Sequence, residues 1–252
     1  MSNPVLLEKR NSGVAIITFN RPEKKNAFKQ DMWRDLTNAI IDVKNDNAIG
    51  ALILTGAGKD FCSGVDLSDF GGDSDKKPKF EVMMDELVDF DKPLLAAAKG
   101  VAIGFGATAL FHCDIVYVGE SLKMRLPFVN LGLVPEAASS YTLQTIIGRQ
   151  AAAELLLTAE WIDASKAKQF NLCREIYKDD ELLAKTIEKA EQIAKWPVNA
   201  LRETKRCITA VHKADIESAR QREMKGMMKQ VGSAENIEAI TAFLEKREAV
   251  FK

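Results

Sequence analysis

The chain has two histidines, four cysteines and no serine in a nucleophile turn, and these facts bound the chemistry it can carry. His112 and His212 stand in neither an HExxH nor an HxH arrangement. Cys62, Cys113, Cys173 and Cys207 are dispersed and form no CxxC, so no metal site is expected. The absence of GxSxG leaves Ser-His-Asp chemistry without support. No histidine is placed by sequence to activate Cys62, which reads as a small packing residue. His112, at the end of an apolar stretch, reads as a buried imidazole whose hydrogen bonds are satisfied. Gly104–Phe105–Gly106–Ala107–Thr108–Ala109 matches the G-x-G-x-x-A dinucleotide pattern, with Glu120 further along. The next strand follows too soon, however, for the helix of a βαβ unit of about 30 residues. These glycines read instead as room for close backbone packing where a strand turns into a helix.

Three segments remain in which small residues let a ligand or a second backbone come close: Gly56–Leu67 (GAGKDFCSGVDL), Gly100–Gly106 (GVAIGFG) and Leu126–Ser140 (LPFVNLGLVPEAASS). The third carries Glu136 among Val134, Pro135, Ala137 and Ala138, a setting that desolvates a carboxyl and raises its pKa. Pattern alone favours a different role for Glu136, as an acid at the N-terminal end of a helix over Ala137–Gln144.

The elements that must hold these segments are legible. Val14–Phe19 (VAIITF), Ala51–Thr55 (ALILT), Leu94–Ala98 and Asp114–Val118 are short apolar runs that read as buried strands. Between the first two, Met32, Leu36, Ala39, Ile40 and Val43 recur at helical spacing. Strand–helix–strand of this kind predicts parallel pairing through right-handed crossovers. Asp69–Lys79 is polar, bears glycines and is expected to form a mobile loop. After it, Met83, Met84 and Leu87 form a helical stripe, which serves as core more often than as a pocket wall. From about Gln150 strand signals nearly vanish. Leu182, Leu183, Ile187, Ala190 and Ile193 predict one helix, Pro197 opens the next, and Ser233 with Glu235 caps a last one bearing Ile237, Ile240, Phe243 and Leu244. The expected division is an α/β core over residues 1–195 and a helical region over 196–252.

Bulk composition is that of an ordinary globular protein, 46% hydrophobic and 28% charged. The net charge of −1 provides no field for a nucleic-acid backbone or a membrane surface. No apolar run reaches the roughly 20 residues of a membrane span. With no secretory signal read at MSNPVLLEKRNSG, scattered thiols and no SKL-type C-terminus, a cytoplasmic location is expected.

Taken in order, NRPEKKNAF (Asn20–Phe28), FCSGVDL (Phe61–Leu67), KPLLAAAKGVAIGFG (Lys92–Gly106), CDIVY (Cys113–Tyr117) and LGLVPE (Leu131–Glu136) resemble the crotonase (enoyl-CoA hydratase/isomerase) superfamily. TAEWIDASKAKQFNL (Thr158–Leu172) is similar to a further stretch of that family, so the likeness runs nearly end to end. The resemblance implies an α/β spiral of ββα turns with a helical C-terminal region that builds homotrimers, often paired into hexamers. It also implies an acyl-CoA thioester whose oxygen is held by two backbone N–H groups, here those of Val65 and Phe105. CoA then enters as part of the substrate, and no separate cofactor is expected.

A proton α to a thioester is too weakly acidic to leave at neutral pH unaided, and two preorganised donors on the developing oxyanion are the general remedy. Phe105 is expected to open a helix over Gly106–Phe111, adding the positive end of its dipole. Side chains then decide the reaction. Hydratases of the superfamily use two glutamates, and the matching positions here hold Thr108 and Phe128, which cannot do paired carboxylate work. Glu136 stays in register with the single glutamate of peroxisomal-type Δ3,Δ2-enoyl-CoA isomerases, which the LGLVPEAASS stretch closely resembles. The resemblance thus implies Glu136 as a proton shuttle from C2 to C4 of a 3-enoyl-CoA. For CoA it suggests Lys24, Lys25 and the stretch Ser63, Gly64, Val65, Asp66 and Leu67, with Asp66 also read as capping its loop. Another crotonase-type reaction, or a non-catalytic acyl-CoA-binding module, is the alternative.

Overall fold

In the computed structural model, residues 3–66 and 79–251 are described. Leu67 and all but the last residue of the loop expected over Asp69–Lys79 lie outside them. The chain begins with β1 (Val5–Lys9) and β2 (Val14–Phe19), then α1 (Gln30–Asn45), β3 (Ala51–Gly56), α2 (Lys79–Val88), β4 (Leu94–Ala98) and β5 (Val101–Ile103). One helical turn, α3 (Phe105–Thr108), precedes β6 (Ile115–Gly119) and β7 (Lys123–Arg125). There follow α4 (Ser139–Ile147), α5 (Arg149–Thr158), β8 (Ile162–Asp163), α6 (Ala164–Gln169), β9 (Glu175–Tyr177) and α7 (Leu182–Ala194). Three helices end the chain: α8 (Val198–Ala210), α9 (Lys213–Gln230) and α10 (Ala234–Glu245).

The main sheet runs β1-β2-β3-β4-β6-β9, antiparallel at the β1–β2 edge and parallel elsewhere. Its central strands read as unbroken apolar runs because both faces are covered. Ala15, Ile17, Leu52, Leu54 and Ala96 enter the principal core with α1 and α2. Their neighbours Val14, Ile16, Ile53, Leu95 and Ala97 pack with Leu182 and Ala190 of α7 on the other face. Met83 and Met84 are fully buried in the principal core. The strand expected at Asp114 begins one residue later. The Asp114 carboxylate is engaged instead, accepting the Leu94 N–H at 2.7 Å and pairing with Lys205 at 2.8 Å. Ser233 caps α10 as expected, its Oγ accepting the Asn236 N–H at 3.1 Å.

A second, three-stranded sheet, β5-β7-β8, sits beside the main one and carries the site. Phe61 and Cys62 run along its β5 edge: Cys62 N–H donates to Val101 O and Ile103 N–H returns to Cys62 O, both at 2.9 Å. The loop after β3 is thereby fastened to the strand that leads into α3.

Candidate active site

Two loops meet where that strand ends. Gly64 has φ +88, and a Cβ there would lie 2.8 Å from Ile103 O; Gly104, at φ +54, would place its Cβ 3.9 Å from Gly64 Cα. At Gly64 the close approach and the positive φ both call for glycine, whereas at Gly104 the contact is an ordinary one and the positive φ alone does. Gly64 O accepts the Phe28 N–H at 2.8 Å and Phe28 O accepts the Asp66 N–H at 2.9 Å, a bridge that leaves the Val65 N–H itself uncommitted. Phe105 is the first residue of α3, where the N–H has no carbonyl in its own helix. Among the described residues neither N–H has a backbone acceptor. Both residues line a cavity of about 1320 Å³.

The helix expected over Gly106–Phe111 is shorter. It makes one α turn and tightens to 3-10 geometry over Ala109–His112, so the dipole at Phe105 is that of a single turn. The Phe105 ring is buried in an aromatic cluster, 4.7 Å from Trp33, 5.1 Å from Phe28 and 6.0 Å from Phe80 between centroids. Trp33 and Phe80 thus wall the cavity, a role the sequence leaves open for the methionines of α2.

Glu136 lines the same cavity, on the stretch between β7 and α4. Thr108, one turn behind Phe105 and fully buried, donates its hydroxyl to Glu136 Oε1 at 2.6 Å. The residue is partly exposed and lines the cavity, while its carboxyl is desolvated. Desolvation pushes its pKa up to about 8. The charges of Glu223 and Glu81 add to that rise, and the Thr108 hydroxyl opposes it. Phe128, which the resemblance matches to the second glutamate of hydratases, is buried and lines this cavity.

The role of an acid at the start of α4 belongs to another residue. Glu223, from α9 and 85 positions away, accepts the Ala138 N–H at 2.7 Å and the Ser140 N–H at 2.8 Å. Ala137 and Ala138 both adopt left-handed φ, 57 and 58, a conformation costly for residues with a Cβ. His112 Nε2 lies 2.7 Å from Ala137 O. A carbonyl can only accept, so Nε2 carries the proton there. Burial pushes His112 down to about 4, keeping it neutral. His112 and Glu223 therefore hold the strained stretch that aims Glu136. The sequence reading of His112 as a satisfied imidazole agrees with this. Glu223 carries no local signal, since its partners are distant in sequence.

At the mouth, Lys24 and Lys25 are exposed and line the cavity with Ser63 and Asp66. Their turn is pinned by Asn26, whose Nδ2 donates to Ala57 O and Asp60 O and whose Oδ1 accepts the Arg21 N–H. Lys25 O accepts the Ser63 N–H at 2.9 Å. Asp66 is held by Arg21 at 3.2 Å, which fits the structural part of its expected role. Cys62 is buried and its thiol is pushed up to about 12, as suits a packing residue.

The α/β frame is that of the crotonase fold, and two backbone N–H groups without a backbone acceptor line one of its cavities together with a desolvated acid. The enoyl-CoA hydratase/isomerase family profile matches residues 9–252. The chain is 32% identical to mitochondrial enoyl-CoA hydratase of Pongo abelii, over 98% of this chain and 87% of the relative. It is equally 32% identical to enoyl-CoA delta isomerase 2 of Rattus norvegicus, over 96% of this chain and 64% of the relative. A solved enoyl-CoA hydratase/isomerase from Pseudoalteromonas atlantica T6c superposes with a TM-score of 0.95 at 35% identity, covering 99% of this chain and 100% of that one. The chain belongs to the enoyl-CoA hydratase/isomerase family of acyl-CoA enzymes. No helix among the described residues is long and apolar enough to cross a membrane.

Proposed function

We propose that the protein is a Δ3,Δ2-enoyl-CoA isomerase, with Glu136 as its proton shuttle and the Val65 and Phe105 N–H groups as its oxyanion donors. The observation that carries this reading is the state of the acids around the cavity. Of the other acids that line it, Glu223 spends both oxygens on backbone N–H groups, Glu81 pairs with Arg220 at 2.7 Å, Asp66 pairs with Arg21 at 3.2 Å, and Glu248 is exposed. Glu136 bonds Thr108 through Oε1, while Oε2 has no hydrogen-bond partner among the described residues. A single mobile proton then suffices. Ionised Glu136 takes a proton from C2 of a 3-enoyl-CoA, the thioester becomes a dienolate whose oxyanion rests on the two N–H groups, and Glu136 returns the proton to C4. The double bond moves into conjugation without net gain or loss of atoms. Hydration needs a water held between two carboxylates, and Thr108 and Phe128 stand at those positions.

The exposed turn at Lys24 and Lys25, with Ser63–Asp66, supports binding of the CoA moiety, which arrives with the substrate. Exposed Ile208, Met228, Phe243 and Leu244 on α8–α10, with Val211 between α8 and α9, support a homotrimeric assembly. Conversion of 3-enoyl-CoA to 2-enoyl-CoA by the purified protein tests the reading. Inactivity on short and long 3-enoyl-CoAs alike overturns it.

A further inference from the structure

Arg125 is a sheltered guanidinium with no carboxylate beside it among the described residues. It ends β7, where the parallel register pairs it with Ile103, and its carbonyl accepts the Gly104 N–H at 3.1 Å, one residue before Phe105. Register partners project to the same face of a sheet, and Ile103 and Arg125 both line the cavity. On the other side of β7, the pairing of Met124 with Ile162 carries Trp161 to a place opposite Arg125. The guanidinium carbon lies 5.2 Å from that ring.

Neutral groups orient the guanidinium. Nε donates to Ala159 O at 2.6 Å and Nη2 to Asn130 Oδ1 at 3.2 Å, while Nη1 has no hydrogen-bond partner among the described residues. Arg21, Arg202 and Arg220 are sheltered too, and each holds a carboxylate, at 3.2, 3.0 and 2.7 Å. Arg125 is thus aimed and stacked with its charge uncompensated, which is the state a bound anion completes.

We propose that Arg125 is a subsite for a carboxylate at the far end of the acyl chain, so that the protein takes ω-carboxyacyl-CoA thioesters. The proposal rests on the acyl-CoA reading of the cavity but not on the double-bond shift. Its alternative source of anion, a CoA phosphate, has Lys24 and Lys25 at the mouth. The backbone contacts run from Lys25 to Ser63, from Gly64 to Ile103 and Gly104, and from Gly104 to Arg125. Lys25 thus adjoins the Ser63–Val65 end of the donor pair and Arg125 its Gly104–Phe105 end. With the thioester at the donors and phosphates toward the lysines, the proposed path of the acyl chain leads toward Arg125. Ile103, Pro127, Phe128 and Leu131 supply apolar wall along the way.

The test measures dissociation constants by calorimetry for adipyl-CoA and hexanoyl-CoA, which share chain length and are both saturated, so no turnover intervenes. The wild type binds adipyl-CoA tighter by about tenfold or more, as a charge-assisted pair requires. Arg125→Gln keeps a donor for Ala159 O and removes the charge, and its affinity ratio falls to about one; Arg125→Lys keeps part of the preference. Equal affinities in the wild type, or an undiminished preference in Arg125→Gln, overturn the proposal while the acyl-CoA reading stands. Absence of binding by both esters sinks that reading and the proposal with it. Adipyl and hexanoyl pantetheine thioesters, which lack the nucleotide phosphates, show the same preference. A defect of Arg125→Gln that is equal for both CoA esters and vanishes with the pantetheine esters assigns Arg125 to a phosphate and overturns the carboxylate subsite.

Discussion

The Thr108 hydroxyl donates to Glu136 Oε1 at 2.6 Å from the same helical turn that begins at Phe105, a residue lining the cavity. One short element thus holds both the acid and the N–H proposed as an oxyanion donor. Among the described residues, that contact is the interaction that favours ionised Glu136 against burial and neighbouring charge.

Removing that donor makes Glu136 harder to ionise. In Thr108→Val the midpoint of the rise of kcat/KM with pH moves above its position in the wild type, near 8. Turnover at pH 7 falls about tenfold, on the scale of one hydrogen bond to a charged group. Thr108→Ser restores most of it. A pH–rate profile of 3-enoyl-CoA isomerisation checks both variants, and an unmoved midpoint in Thr108→Val counts against the coupling.

Glu136→Gln abolishes the shuttle, with a loss of about 10²- to 10⁴-fold in kcat and little change in acyl-CoA affinity. The same variant is more stable than the wild type in mild alkali. Glu136 has its folded pKa raised to about 8 from an ordinary 4.5, so the unfolded chain releases a proton that the folded chain retains as pH climbs through that window. The carboxyl therefore costs stability increasingly from pH 4.5 to 8. Thermal denaturation at pH 8 shows a Tm gain of at least about 2–4 °C for Glu136→Gln, shrinking to nothing near pH 4.

Glu223→Gln leaves only one acceptor for the two N–H groups of Ala138 and Ser140 and costs about 1–3 kcal/mol of stability. Catalysis suffers through kcat, with KM held, because the stretch that aims Glu136 loosens. The alkaline midpoint of the pH–rate profile moves down as a neighbouring negative charge disappears. A variant that merely loses stability would leave that midpoint in place, so the profile separates the two roles.

Gly64→Ala places a Cβ 2.8 Å from Ile103 O at a φ of +88, and displaces the Val65 N–H. Its kcat/KM falls about 10²-fold or more, the scale of losing one oxyanion donor. Val65→Ala keeps the N–H and retains most activity, since the backbone rather than the side chain makes the contact. Steady-state kinetics of the pair, compared at equal folded fraction, decides the matter.

Much of the scaffold was legible because its signals are local. Val14–Phe19, Ala51–Thr55 and Leu94–Ala98 declare buried parallel strands by composition, and Met32 to Val43 declares a helix by spacing. Ser233 announces its cap within three residues. The boundary at Asp114 moves by one residue: its N–H still donates to Leu94 O at 2.8 Å, while its carboxylate takes the Leu94 N–H and pairs with Lys205, 91 positions away, which no local pattern announces.

By itself the sequence determined the elements, the glycines that two crossing loops require, and Glu136 as the acid in register with a known family of motifs. Only the tertiary structure decided what Glu136 experiences. Thr108 reaches it across 28 positions, and Glu223 takes the helix-end role that pattern alone assigned to Glu136. The aim of Arg125 into the cavity likewise depends on β7 lying between β5 and β8. The physical reason is the range of the forces. Propensity and periodicity act between residues a few positions apart, whereas desolvation, charge and hydrogen bonding depend on which distant segments packing brings within a few ångströms.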